Sequence, residues 1–374
     1  MMSFSSSVAV VLLSLSAIPI TYSVNLAQDL QGEGTLLVVG TTALTVLCVL
    51  IYLFASTRDK STDLLYYVLI LTTFAGVVDL IISLENDGVI TGFMTSYLKN
   101  GEPYLKSAYG TMICYWDGTV HYGLNLIMLY ALAWNGSYRN AGLLWAGSIG
   151  HSMVVFMPGN VLGKHGLRWS FLLNIPYCFI PFMCAARFLR ERPKQVQGKD
   201  EAHKHHSSII TRPVDLLMVL GLLASLSVAV FRGFAVLGAN NSYMKDYIKN
   251  CEPYLTDPNT YPKMQMLIYL FYFAPYYIMG IYGLLYPGCS WMPDWALLHA
   301  GAAGNAQFSH IGGALHFRTP TNLRVPADPD AQLVFWLINA GLFIFPQILA
   351  LRCYLSPSFF IPTKEVSILE KKQK

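Results

Sequence analysis

The sequence predicts an all-α, multi-pass membrane protein of about ten transmembrane helices, built as two tandem four-helix bundles behind an N-terminal helix pair. Three observations carry that prediction. Of 374 residues, 54% are hydrophobic and 12% charged, about half the charged share of a soluble globular chain. Windows of about 20 mostly apolar residues, the length that crosses a bilayer, recur along the whole chain. One fourteen-residue segment occurs twice. A net charge of +4 is too slight and scattered for a nucleic-acid binder. Seven cysteines without a CxxC pair argue against a disulfide scaffold or a zinc site, and no metal or cofactor is expected.

Taken in order, the apolar windows are 8–24, 35–55, 64–84, 108–134, 140–157, 169–188, 214–237, 264–286, 295–317 and 333–355. The first is short and reads as a membrane anchor, or alternatively as a cleaved signal peptide. No Lys or Arg precedes Arg58 and no A-x-A site follows, which favours the anchor. The ninth is polar. These windows divide the chain into N-terminal helices (1–60), a first bundle (61–187), a linker (188–213), a second bundle (214–355) and a tail (356–374).

If the spans are ten, the loops on the N-terminal side carry 15 Lys and Arg and those on the other side 9. The excess places both termini, the linker and the tail in the cytosol. There the final Lys371, Lys372, Gln373 and Lys374 match the dilysine signal read by the coat that retrieves membrane proteins to the endoplasmic reticulum. A basic tail drawn to anionic lipid is the alternative. Asn240, in Asn-Asn-Ser, falls on the lumenal side as a glycan acceptor. The linker holds His203, His205 and His206, read as a solvated run rather than a metal site.

The duplicated segment is GFMTSYLKNGEPYL at 92–105 and SYMKDYIKNCEPYL at 242–255, with eight of fourteen positions identical at an offset of 150. One apolar window precedes each copy and three follow, so the repeat unit is a four-helix bundle. Pro suits the first position of a helix and Glu its N-terminus, which favours a structural role for EPYL.

Ionisable side chains inside spans are costly and default to function. The first bundle has Asp79, then Asp117 and His121 four residues apart on one helical face, able to hydrogen-bond or share a proton. Tyr115, Trp116 and Tyr122 flank them with aromatic faces. Such a set suits proton shuttling or amine capture in an apolar pocket, and a polar cluster that only fixes helix packing is the alternative. Span nine holds a second set, His299, Asn305, Gln307, Ser309, His310 and His316, among small residues that favour interhelical hydrogen bonding.

At GEPYL, ICYWDGTVHY (113–122), MPGNVLGK (157–164), EPYLTDPNTYPKMQML (252–267), PGCSWMPDW (287–295) and AQFSHIGG (306–313) the sequence resembles the transmembrane six superfamily, whose members carry two EXPERA (expanded emopamil-binding) domains. The resemblance implies multi-pass endomembrane proteins linked to lipid handling, with a proposed sterol isomerase activity, in the endoplasmic reticulum or alternatively the lysosome. The domain occurs singly in emopamil-binding protein, a sterol isomerase, and in the sigma-two receptor, which binds sterols and amines. By that likeness Asp79 and Asp117 fall at the two acidic positions, and Asn174 and Tyr177 where the isomerase has Asn and Trp. The second copy reads Arg232 and Tyr269 at the acidic positions and looks chemically silent. Two departures separate this chain from the isomerase: Asp79 and Ser83 stand where the isomerase has His followed four residues later by Glu, and Tyr177 stands where it has Trp.

The favoured expectation is a protein that binds sterol or another neutral lipid in the first bundle, with Tyr115, Trp116, Asn174 and Tyr177 contacting it, and that regulates lipid handling. The alternative is a sterol isomerase using Asp79, Asp117 and His121 for acid/base chemistry. Transport would call for paired sites in both repeats, which the second copy lacks.

Overall fold

The computed structural model describes residues 4–27, 32–58, 63–191 and 208–360. The dilysine pair Lys371 and Lys372 and the linker histidines lie outside them. Every element among the described residues is helical: α1 (Phe4–Leu15), α2 (Ala17–Leu26), α3 (Glu33–Arg58), α4 (Leu64–Asn86), α5 (Ala108–Trp116), α6 (Tyr122–Ala133), α7 (Arg139–Leu162), α8 (Ile175–Arg190), α9 (Pro213–Val236), α10 (Ser242–Asn250), α11 (Tyr261–Ile268), α12 (Ala274–Leu285), α13 (Met292–Leu315) and α14 (Pro329–Leu355), with short 3-10 and π turns between them. Among the described residues seven helices are long and apolar enough to cross a membrane. The remaining three windows are helical too. Glu33–Arg58 has a shorter apolar stretch, Gly34–Leu50. α5 and α6 form one rod broken by a π turn, Asp117–His121. α13 is polar and lies buried between the two units.

The repeat runs much further than the EPYL segment. α4 corresponds to α9, α5–α6 to α11–α12, α7 to α13 and α8 to α14. Both rods carry a π turn at the same place, Asp117–His121 in one and Tyr269–Phe273 in the other. Each unit also ties its first helix to its last with the same ion pair. Asp63 at the start of α4 takes Arg187 of α8 at 2.5 and 2.8 Å, and Asp215 at the start of α9 takes Arg352 of α14 at 2.8 and 3.1 Å. Because connections differ in length, the offset between equivalent residues grows from 150 at EPYL to 165 in the last helix.

The two units meet where α7 crosses α13. A methyl added at Gly147 would sit 1.9 Å from the Leu298 carbonyl oxygen, and one at Gly301 would sit 1.9 Å from that of Leu144. Only glycine lets the two backbones approach so closely. Arg139, at the start of α7, closes the same seam with a two-pronged bond to Asp294 of α13 at 2.7 and 2.6 Å. His151 meets Asn305 at 3.0 Å. Gln307 bonds Tyr269 and His316 reaches Asp87 at 3.1 Å, as interhelical bonding predicts. His299 instead stacks on Tyr276 with centroids 3.6 Å apart, and Ser309 bonds back to the Asn305 carbonyl of its own helix.

Candidate functional site

The π turn after α5 widens the helix by one residue, a local device that recurs at functional positions. Here it faces α4 at glycines on both sides. A Cβ at Gly118 would lie 2.6 Å from the Leu80 side chain, and one at Gly76 would lie 3.2 Å from the Asp117 carbonyl. The two helices therefore touch backbone to backbone, and Asp79 and Asp117 are delivered to one side of that contact.

That side is a cavity of about 220 Å³. Its walls are mostly apolar: Val24 from α2, Val39 and Leu44 from α3, Phe74 and Val78 from α4, and Phe156 from α7. Asp79, Asp117 and Glu102 line it together with Asn174 and Tyr177, and among the described residues no Lys or Arg does. The N-terminal helices, read as a separate segment, are part of this site. α2 also pins its rim, since Asn25 donates to the Gly92 carbonyl and accepts from the Ser96 amide, both at 2.9 Å.

A small recess of about 30 Å³ adjoins the cavity, shares Asp79 and Asp117, and reaches His121 and Ser152. His121 Nδ1 lies 2.5 Å from Asp117 and its Nε2 2.7 Å from Ser148 Oγ. The Trp116 indole donates to the same Ser148 oxygen at 2.9 Å. An indole nitrogen can only donate, so Ser148 accepts from Trp116. With Asp117 ionised, His121 Nδ1 donates to it, and in the neutral imidazole Nε2 is then an acceptor that takes the Ser148 hydroxyl hydrogen.

Two of the expected ligand contacts are corrected. Trp116 is turned away from the cavity to bond Ser148 and to pack on Phe308 of α13, ring centroids 5.0 Å apart. Tyr115 reaches outward, its hydroxyl donating to Asp87 at 3.0 Å. Trp116 and Tyr115 lie one and two residues before Asp117, but successive helical residues point about 100° apart. Asp79, Asp117, Asn174 and Tyr177 do line the cavity, and His121 stands behind Asp117.

Glu102 was missed. The EPYL motif was expected to place its Glu at a helix N-terminus, and Pro103 does open a 3-10 turn, yet Glu102 makes no capping bond. Its carboxylate turns inward, accepting from the Tyr104 hydroxyl at 2.6 Å and from the Asn174 amide. Burial pushes its pKa from 4.5 to about 7, against the bonds from Tyr104 and Asn174, which lower it. The signal was a carboxylate inside a duplicated segment; the spacing said nothing of its direction. Because the folded state binds this proton more tightly, stability should be fully present below about pH 4.5 and fall as pH rises to about 7. The cost is about 3 kcal/mol for a shift of this size. Melting of the purified protein between pH 5 and 8 should show that decline, and Glu102→Gln should flatten it; a slope unchanged by the substitution would refute the assignment.

In the second unit the equivalent positions are filled. Arg232 takes the place of Asp79, Glu252 of Glu102, Asn339 of Asn174 and Tyr269 of Asp117, and all four are fully buried. Arg232 bonds Glu252, and the Asn339 amide donates to the same Glu252 oxygen at 2.9 Å. Burial pushes the Glu252 carboxyl up, but Arg232, then His310 and Asn339, bring it down to about 2. The same glutamate thus ends in two opposite electrostatic settings.

Fold and site together define a multi-pass membrane protein of duplicated four-helix units with one open, acid-ended cavity. Comparison with known proteins agrees. Residues 16–199 match the model described as Transmembrane 6 superfamily member 2-like, transmembrane domain, and residues 239–353 match EXPERA (EXPanded EBP superfamily). The chain is 43% identical over 356 residues to Transmembrane 6 superfamily member 2 of Mus musculus, covering 94% of this chain and 93% of that one. It is 41% identical over 368 residues to the Homo sapiens protein of that name, covering 96% and 97%. The chain belongs to the transmembrane 6 superfamily. No solved structure matches it.

Proposed function

We propose that this protein binds a sterol or another neutral lipid in the cavity of its first unit and so influences lipid handling in the membrane of the endoplasmic reticulum. One observation supports this above the others: an apolar cavity ending in three carboxyl groups with no basic residue among its lining. Carboxyl groups with no Lys or Arg beside them are expensive to bury against apolar walls, and a ligand hydroxyl is a further donor they can use. At about 220 Å³ the cavity is smaller than the roughly 300–1,000 Å³ of sites that enclose a whole drug-sized ligand. It therefore takes the hydroxyl end and first rings of a sterol, and the tail lies between helices or in lipid. The compartment and the retrieval coat as partner rest on Lys371 and Lys372.

The runner-up, a sterol isomerase, draws on the Asp117–His121 pair beside Asp79, which supplies groups able to give and take a proton. Ser83 weighs against it. Its hydroxyl donates to the Thr111 carbonyl at 3.0 Å and lies fully buried, away from the cavity.

A photoreactive sterol in membranes holding the full-length chain tests both readings. Ala43→Trp, which adds bulk to the cavity wall from α3 and alters no carboxyl residue, should cut labelling at least about tenfold, the loss expected when an apolar site is blocked at a cost above 1.4 kcal/mol. Labelling equal to wild type would contradict the site. Expression in cells lacking their sterol isomerase separates binding from catalysis, since conversion lost in Asp117→Asn would favour the isomerase.

A further inference from the structure

In the second unit Arg232 is 0% exposed near the C-terminal end of a helix of high hydropathy, Pro213–Val236, an expensive place for a charge. Each nitrogen of its guanidinium has a partner. Nε donates to the Tyr247 hydroxyl at 3.1 Å, both terminal nitrogens donate to Asn339 Oδ1 at 3.2 Å, and one of them also donates to Glu252. His310 stands 3.5 Å from the same carboxylate. Glu252 and Asn339 are the counterparts of Glu102 and Asn174, which in the first unit face an open cavity.

We propose that the second unit keeps the polar end of the same site, that this end is a guanidinium-binding site, and that Arg232 occupies it in cis as a built-in ligand. The second unit is thus a filled copy of the site rather than a remodelled one. The planar fork suits three acceptors held in fixed directions, which an ammonium cannot satisfy together. The inference rests on the geometry of the second unit and stands whether or not the first binds sterol.

Truncating Arg232 to Ala removes the atoms of N-ethylguanidinium, which makes chemical rescue the test, read as melting temperature of the purified full-length protein. Arg232→Ala should melt well below wild type. N-ethylguanidinium chloride should restore at least about half of the loss, as a ligand binding only the folded state does. Guanidinium should restore less, and ethylammonium or sodium chloride none. Arg232→Ala/Glu252→Gln should not respond. Arg232→Lys keeps the charge and fills the space without the fork, so it should melt below wild type and be indifferent to the additive. The proposal is overturned if ethylammonium rescues as well as N-ethylguanidinium, if neither rescues a folded Arg232→Ala, or if Arg232→Lys matches wild type.

Discussion

Gly301→Ala is expected to cost the protein its native packing. The added methyl would lie 1.9 Å from the Leu144 carbonyl oxygen, 2.9 Å from its carbon and 3.0 Å from the Ser148 nitrogen. All three are backbone atoms of α7, so no side chain can swing aside. α7 and α13 must separate, and with them go the seam contacts Arg139–Asp294, His151–Asn305 and Trp116–Phe308. Overpacking of a yielding core costs about 1–3 kcal/mol, and a clash between two backbones falls at or beyond the upper end. Gly147→Ala should behave alike, for a methyl there meets Leu298 backbone at 1.9 Å. Gly123→Ala is the control. Nothing lies within 4 Å of a Cβ there, and replacing a helical Gly by Ala should be neutral or stabilising by up to about 1 kcal/mol. Size-exclusion profile and melting temperature in detergent check all three, and a Gly301→Ala protein that melts like Gly123→Ala would contradict the close crossing.

Glu252→Ala is the second large effect. It leaves the Arg232 guanidinium buried with only neutral partners, Tyr247 and Asn339. Removing one member of a buried ion pair costs about 3–5 kcal/mol, whereas replacing both by apolar residues of similar size is often near neutral. Glu252→Ala should therefore melt far below wild type, and Arg232→Met/Glu252→Leu should recover much of the loss. A double variant that melts below the single one would show that the pair does more than neutralise itself. Glu102→Ala, in the first unit, should cost less because its carboxylate has no cationic partner to orphan.

This contrast explains why the two halves of a duplicated sequence were only partly legible. Most of the helices could be read because they are long apolar windows, seven of them long and apolar enough to cross a membrane among the described residues, and that signal needs no partner. The repeat could be read only at EPYL, where the offset is 150. The clasp Asp63–Arg187 and its counterpart Asp215–Arg352 escaped, since loop lengths carry the offset to 152 at one end and 165 at the other. Asp79 and Asp117 could be named because an acid inside an apolar window is conspicuous. Tyr115 and Trp116 were misplaced because adjacency in sequence is not adjacency on a helix, and the π turn rotates the face once more. Glu102 was legible as a repeated residue but not as a cavity group. Its direction is set by Tyr104 and Asn174, and Asn174 lies 72 residues away along the chain. The part played by α2 and α3 as cavity walls likewise depends on packing that no local pattern announces.

On the proposed reading the two units of the duplicated bundle differ in role. The second fills its polar end with Arg232 and packs α13 against α7. The first leaves its carboxyl groups on a cavity with mostly apolar walls.

Mapping the crosslinks of a photoreactive sterol, peptide by peptide, tests that division most directly. Label should fall on α3, α4 and α8 around Val39, Val78 and Tyr177, compete with unlabelled sterol and disappear in Ala43→Trp. Label concentrated instead around Arg232 and Tyr269, or spread evenly over membrane-facing side chains of both units, would contradict it.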